Sequence, residues 1–460
     1  MGHMLKCISP IDGSLFAERE ALSCEAAREA AARARAAQPE WAARPIQERI
    51  DLVVAGIAAV GEMNDEVVPE LARMMGRPVR YGGEFGGFEE RGSHMAAIAK
   101  DALAAIKVGE DTTSKRYIKR VPHGVVLVVA PWNYPYMTAI NSVAPALIAG
   151  NSVVLKHATQ TLLVGERMAQ AFHSVGVPTD VFQNVFLDHD TTSELIAERA
   201  FNFVNFTGSV GGGRAMETAA AGTFTGLGLE LGGKDPGYVM EDADLDAAVA
   251  TLIDAAMFNA GQSCCGIERI YVHDSLYAAF IEKAVAIVEG YQLGHPLDAA
   301  TDIGPMANIR FAKEVRDQIN EAVAAGAKTH IARKPNDDGG AYLTPQILTD
   351  VTHDMRVMRD ESFGPVVGIM KVSSDDEAIR LMNDSAFGLT ASLWSADMTR
   401  AQRVGDQLET GTVFLNRADY LDPSLCWTGC KDTGRGGGLS VIGYHNLTRP
   451  KSYYLKKTTA

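Results

Sequence analysis

A chain of 460 residues with 47% hydrophobic content is long enough for two or more compact domains, each with its own core. Its 43 basic against 57 acidic residues give a net charge of −14 with no Lys/Arg-rich block, which argues against nucleic acid and anionic membrane as partners. Six cysteines in so long a chain do not make a disulfide framework, and no apolar run reaches the roughly 18 residues of a membrane span, so the expectation is a cytoplasmic protein with reduced thiols.

Met1-Gly2-His3-Met4 resembles the remnant of an expression tag, so the native start is expected at Met4 and Gly2 is not read as an acylation signal. Residues 21–70 are rich in Ala, Glu and Arg, with Ile50, Val53, Ile57 and Val60 at helical spacing, and predict a helical N-terminal layer. The polar stretch 107–121 breaks that pattern and alternates as a protruding hairpin would, an arm suited to assembly. Short β-rich runs at 124–130, 152–155, 181–186, 201–206, 227–231 and 267–272 then alternate with Ala-rich helical segments. Such alternation implies a parallel sheet covered on both faces, which binds ligands beyond the carboxyl ends of its strands. A second α/β series occupies 279–415, with helical 310–325 and 375–384 and strand-like 366–372 and 411–415. The basic, β-like tail 448–460 is able to pair with the hairpin.

Several motifs fall at the strand ends. Pro131-Trp132-Asn133-Tyr134-Pro135 places an amide where it can donate to a developing oxyanion, although a lone Asn in a turn more often bonds its own backbone. The run from Phe206 to Arg214, Phe-Thr-Gly-Ser-Val-Gly-Gly-Gly-Arg, follows a strand and opens a helix, which suits either a phosphate contact or a tight packing turn. Gly261-Gln262-Ser263-Cys264-Cys265 offers thiols at the end of a helical run; a cysteine attacks as its thiolate and needs local help, and both thiols are otherwise small core residues. Cys426 and Cys430 lack a second pair at finger-like spacing, so no metal is expected.

Pro-Trp-Asn-Tyr-Pro, Leu155-Lys156, Phe-Thr-Gly-Ser, Glu230-Leu-Gly-Gly-Lys234, Gly-Gln-Ser-Cys, Glu361-Ser-Phe-Gly-Pro365 and Gly411-Thr-Val-Phe-Leu-Asn416 occur in the order typical of one family. From residue 8 to 455 the chain resembles the NAD(P)-dependent aldehyde dehydrogenase superfamily. The resemblance implies a doubly wound parallel-sheet dinucleotide-binding domain at 5–106 and 122–231, an α/β catalytic domain at 232–432, and a small β oligomerisation element at 107–121 and 446–460. It implies a homodimer or homotetramer acting on a small-molecule aldehyde.

The same resemblance implies that Cys264 attacks the aldehyde, that Asn133 and the Cys264 N–H hold the oxyanion, and that Glu230 activates water to hydrolyse the thioester. Lys156 would bond the adenosine ribose, and Trp132 and Ser209 would face the pyrophosphate beside Gly208. Glu361 would hold the nicotinamide ribose, with Phe363 and Gly232 nearby. Tyr134, Met137, Asn141, Phe258 and Cys265 would line the aldehyde tunnel, with Asp419, Leu421 and Trp427 at its other wall. Glu230 favours this hydrolytic branch over the alternatives, a coenzyme A-acylating dehydrogenase or a catalytically silent member with a binding role.

Two departures from the family pattern bear on specificity. Thr159 stands where NAD-selective members often carry a glutamate that repels a 2′-phosphate, so NADP use beside NAD is expected, and His157 replaces a common proline in the same turn. Asn141 stands where semialdehyde-type members hold an arginine, which does not support succinate-type substrates, and Asp419 hints at an amino or hydroxy aldehyde unless it pairs with Arg417.

Overall fold

The longest apolar runs become central strands in the computed structural model, which describes residues 3–458. All six residues of Val125–Ala130 and of Ser152–His157 are buried. In Val125–Ala130 the two faces serve different cores: Val126 and Val128 pack under the helices Ile46–Gly61 and Pro135–Ile148, while Val125, Leu127 and Val129 meet the small residues of Cys24–Ala43. A strand buried on both faces reads as a continuous apolar run, which is why it is legible.

Six strands form the first sheet, in the order Gly434–Arg435, Gly226–Glu230, Phe203–Thr207, Val125–Ala130, Ser152–His157, Phe182–Asn184. All neighbours are parallel except the first pair. Chain order runs outward in both directions from Val125–Ala130, so a crevice opens at its carboxyl end. The turn from Pro131, the turn after His157 and the turn after Thr207 all leave the sheet on that edge.

The second sheet has seven strands, ordered Lys328–Thr329, Gln346–Thr349, Val366–Val372, Ile267–His273, Asp235–Val239, Thr390–Trp394, Thr412–Leu415, again parallel apart from the first pair. The third is a three-stranded antiparallel sheet in which Thr448–Lys456 pairs with Ser114–Pro122 along its whole length, and Ser114–Pro122 pairs with Ile106–Glu110. Residues 459 and 460 of the expected tail, and Met1 and Gly2 of the expected tag, lie outside the described residues.

Among the elements that the sequence does not announce, three are instructive. Asp235–Val239 is central to the second sheet although Asp-Pro-Gly spells a turn; a Cβ on Gly237 would lie 2.7 Å from Leu252 Cδ2, so the glycine lets helix Leu245–Met257 lie close against the strand. The helix Phe85–Ala102 contains Gly86, Gly87 and Gly92, poor helix formers. Close packing accounts for two of them: a Cβ on Gly92 would reach within 2.4 Å of Ile57, and one on Gly87 within 2.2 Å of Met137 Sδ. The hairpin Met4–Ile8 with Leu15–Glu20 is the third.

Candidate active site

Helix Leu245–Met257 ends in a turn where Asn259, Ala260 and Gly261 take φ of 54°, 55° and 69° in succession. Left-handed backbone is costly for residues with a Cβ, so the surroundings must hold it. Asn259 Nδ2 donates to the carbonyls of Asn133 and Gln262, both at 3.2 Å, and Gln262 Nε2 donates back to Asn259 O at 2.9 Å. Gln262 Oε1 accepts from Ala307 N at 2.8 Å, and a Cβ on Gly261 would lie 2.2 Å from Gly364 O. The Gly-Gln signature is thereby explained: the glycine permits a positive φ against a neighbouring carbonyl, and the glutamine amide ties the turn on both sides.

A buried ion pair anchors this turn to the Pro131–Pro135 segment. Arg77 pairs with Glu84, and it also donates to Asn259 Oδ1 at 3.2 Å and to Asn133 O at 2.6 Å. Glu84 Oε2 in turn accepts from the N–H groups of Tyr136 and Met137, at 3.0 and 2.9 Å, satisfying the start of helix Pro135–Ile148. Asn133, 5% exposed, directs Nδ2 to Gln262 O at 3.2 Å, which puts its amide beside the segment leading to Cys264.

The two thiols are held differently. Cys264 is half-buried and lines a cavity of about 370 Å³. Cys265 is buried, and its Sγ donates to Asp419 Oδ1 at 3.1 Å, an oxygen that also accepts from Ser263 Oγ at 2.8 Å. The hydrogen bond with Cys264, burial and the Asp419 charge push the Cys265 thiol well above the usual range, so it keeps its proton. Asp419 is tied to this turn and not to Arg417, whose guanidinium lies 3.4 Å over the Tyr420 ring.

Glu230 ends strand Gly226–Glu230 and lines the same cavity as Cys264. Burial raises its carboxyl to about 7, against the opposing hydrogen bond from Thr207 Oγ1 at 3.3 Å and the charge of Arg91. Tyr134, Met137, Asn141, Phe258, Cys265, Asp419, Leu421 and Trp427 also line the cavity. Arg91, Glu90 and Asp254 join them, and none of these three has a motif around it in the sequence.

The residues assigned to the dinucleotide lie outside that cavity. Trp132 stacks on Phe311 at 5.3 Å and meets Phe363 edge-on at 5.5 Å. Glu361, raised to about 7 by burial and by Glu268, accepts from Gly233 N at 3.0 Å, and a Cβ on Gly232 would strike its carboxylate at 2.5 Å. Beneath this loop the buried Lys234–Glu268 pair fixes the backbone, because Glu268 accepts from the N–H groups of Ser362 and Phe363, both at 2.8 Å.

At the first sheet's crevice, Lys156 is buried with no carboxylate within ion-pair distance among the described residues, and burial lowers its affinity for the proton. A buried ammonium in that state fits a ligand's hydroxyls. Ser209 caps helix Val210–Ala220, accepting from Gly212 N at 3.2 Å. Cβ atoms on Gly208 and Gly212 would meet the Phe206 ring at 2.8 and 2.4 Å, so packing alone accounts for those two glycines. Thr159 begins a short 3-10 turn, and His157 secures its approach: Nδ1 accepts from Ala158 N at 3.0 Å while Nε2 lies 3.3 Å from Pro135 O, and burial holds the ring neutral, lowered to about 4.

A family model described as the aldehyde dehydrogenase family matches residues 2–453. The chain belongs to that family. A succinate-semialdehyde dehydrogenase [NADP(+)] of Mycolicibacterium paratuberculosis is 36% identical over 358 residues, 78% of this chain and 75% of the relative. A betaine aldehyde dehydrogenase of Rhizobium etli is 33% identical over 470 residues, 99% of this chain and 94% of the relative. The crystal structure of an NADP-dependent glyceraldehyde-3-phosphate dehydrogenase from Bacillus halodurans superposes with a TM-score of 0.93 at 32% identity, covering 99% of this chain and 96% of that one.

This aldehyde dehydrogenase thus has an α/β architecture shared with solved members. Among its described residues no helix is long and apolar enough to cross a membrane, and no group of three or more His, Cys, Asp or Glu is arranged to hold a metal ion.

Proposed function

We propose that Cys264 is the nucleophile of an NAD(P)-dependent oxidation of an aldehyde to its carboxylic acid, with Asn133 and Glu230 as its partners. Cys264 as thiolate attacks the carbonyl carbon; the C–S bond forms as the carbonyl π pair moves to oxygen. The Asn133 amide and the Cys264 N–H receive that oxyanion. The nicotinamide dinucleotide, when bound, supplies the acceptor for the hydride that leaves this carbon. Glu230 then takes a proton from water, the hydroxide adds to the thioester, and the C–S bond breaks to release the acid and the Cys264 thiolate. A carboxyl poised near 7 suits proton transfer in both directions at neutral pH.

The observation that carries this assignment is that one cavity is lined by Cys264 and by a near-neutral Glu230, while the neighbouring thiol is locked as a donor to Asp419. For the dinucleotide, buried Lys156, Ser209 with Gly208, and Trp132 with Phe363, Gly232 and Glu361 are the proposed contacts. The neutral Thr159 supports use of NADP as well as NAD. The three-stranded sheet exposes Ile106, Val108, Tyr454 and Leu455, which supports it as the contact of a homodimer or homotetramer, and the domain roles follow the three sheets. A cytoplasmic location completes the proposal, from the thiols.

The test is a panel of aldehydes followed by NAD(P)H absorbance, with and without coenzyme A, for the wild type and Cys264→Ser. Turnover independent of coenzyme A and lost in the variant is expected. Wild-type rates in Cys264→Ser would overturn the nucleophile, and an absolute need for coenzyme A would overturn hydrolysis by Glu230.

A further inference from the structure

The three buried arginines among the described residues each make at least three hydrogen bonds, whereas the half-buried Arg91 makes one. Arg77 has Glu84, Asn259 and the Asn133 carbonyl; Arg49 has the carbonyls of Ile148, Ala42 and Arg44; Arg269 has those of Lys234, Leu381 and Met382. Arg91, on helix Phe85–Ala102, lines the aldehyde cavity half-buried and makes a single hydrogen bond, from Nη1 to Met137 O at 3.1 Å. Among the described residues no carboxylate lies within ion-pair distance of it. A guanidinium carries five donors in a fixed fork that matches a carboxylate or a phosphate. Burial disfavours its charge, and the Cys265, Glu84, Cys264 and Glu90 groups oppose that loss from a distance, so an anion arriving in the cavity gains an almost unused partner.

A second polar group is incomplete at the same place. Asn141 stands one helical turn beyond Met137, lines the cavity at 4% exposure, and leaves its Oδ1 without a partner. Its amide is free to turn a donor or an acceptor edge to a ligand.

Two of the cavity's four acids are already engaged. Asp419 accepts from Ser263 and Cys265, Glu90 accepts from the Tyr420 hydroxyl at 3.1 Å, Glu230 is in part protonated at neutral pH, and Asp254 is exposed. An ammonium also needs open aromatic faces. Of the cavity's aromatic rings, Tyr134 already carries the Arg77 guanidinium at 4.8 Å, Tyr420 carries that of Arg417, and Phe258 packs edge-on against Tyr81 at 4.7 Å; the Trp427 ring makes no such contact among the described residues.

We propose that Arg91, with Asn141 beside it, is the specificity anchor of the cavity, and that the preferred substrates are short aldehydes bearing an oxyanion, carboxylate or phosphate, at the end remote from the carbonyl. The proposal rests on Cys264 as the reacting thiol. A volume of about 370 Å³ lies at the small end of ligand sites, which fits a short chain between the thiol and the guanidinium. The charge that sequence motifs withheld from position 141 is supplied from a different helix.

The experiment compares kcat/KM for succinic semialdehyde against butanal, glyceraldehyde 3-phosphate against glyceraldehyde, and betaine aldehyde, in the wild type, Arg91→Gln and Arg91→Lys. The wild type is expected to favour one or both anionic aldehydes, and the pair that shows the preference tells carboxylate from phosphate. Arg91→Gln is expected to lower the anionic-to-neutral ratio by roughly ten- to a hundredfold, mostly through KM, as loss of a charged hydrogen bond implies. Arg91→Lys recovers part of the ratio. An equal fall for charged and neutral aldehydes would place Arg91 in service of Cys264 or Glu230 and overturn the proposal, as would a wild-type preference for butanal or betaine aldehyde. Inhibition of the wild type gives a check free of folding effects: succinate competes with the aldehyde and 1,4-diaminobutane does not, and the reverse order contradicts the anchor. Turnover of butanal by Cys264→Ser would instead sink the underlying nucleophile assignment, whatever Arg91 does.

Discussion

Adjacent thiols become different reagents when one of them has a carboxylate to hold its proton. Cys265 donates to Asp419 and is pushed well up, whereas Cys264 faces the cavity. Cys264→Ala is therefore expected to abolish NAD(P)H formation, and Cys265→Ala to lower kcat by less than about tenfold, measured side by side with one aldehyde. In the proposed mechanism Glu230 works as a base in its carboxylate form, so thioester hydrolysis is expected to rise as pH passes upward through about 7 and level off above it, and Glu230→Gln to remove the rise. Its folded pKa lies above the ordinary 4.5, so the associated stability is fully present below about 4.5 and is lost as pH rises through about 7. Glu230→Gln should consequently resist urea better than the wild type at pH 8, by on the order of 1–3 kcal/mol, with the advantage gone at pH 4.5. At the coenzyme end, a wild-type preference for NAD over NADP of less than about a hundredfold is expected from the neutral Thr159, and Thr159→Glu moves the kcat/KM ratio toward NAD.

Among the elements, the turn that presents Cys264 carries the most specific requirement. A Cβ on Gly261 would sit 2.2 Å from the Gly364 carbonyl at a φ of 69°, so Gly261→Ala has no relaxed place to go. Melting followed by circular dichroism should show it destabilised by about 2 kcal/mol or more, with activity lost in the folded fraction. The sequence made the buried strands legible because their apolar runs are unbroken, and 366–372 coincides with the observed strand Val366–Val372. Asp235–Val239 stayed hidden because Pro236 and Gly237 speak for a turn locally and only the close approach of Leu252 makes them a strand. The motifs located Cys264, Glu230 and Asn133 along the chain, yet the network that holds the turn, Arg77, Glu84 and Asn259, has no local pattern. Arg91 was equally silent: it sits in a glycine-containing helix whose packing against Pro135–Ile148 decides which way the arginine faces.

For the whole molecule, Glu230 ends a strand of the first sheet and Cys264 precedes a strand of the second, and the two line one cavity. In the proposed mechanism each sheet supplies one member of the Cys264–Glu230 pair, so the reaction depends on the two sheets keeping their relation. The third sheet stands apart with its exposed Ile106 and Val108, and light scattering is expected to give two or four chain masses for the wild type and a lower mass for Ile106→Asp with Val108→Asp. The central claim is that the acyl group rests on Cys264 and that Glu230 removes it. The most direct measurement mixes Glu230→Gln with a turned-over aldehyde and NAD(P), then locates the added mass by peptide fragmentation. An acyl group on Cys264, accumulating with one equivalent of NAD(P)H, is the predicted result; an acyl group on Cys265, or steady turnover with no adduct, would contradict the account.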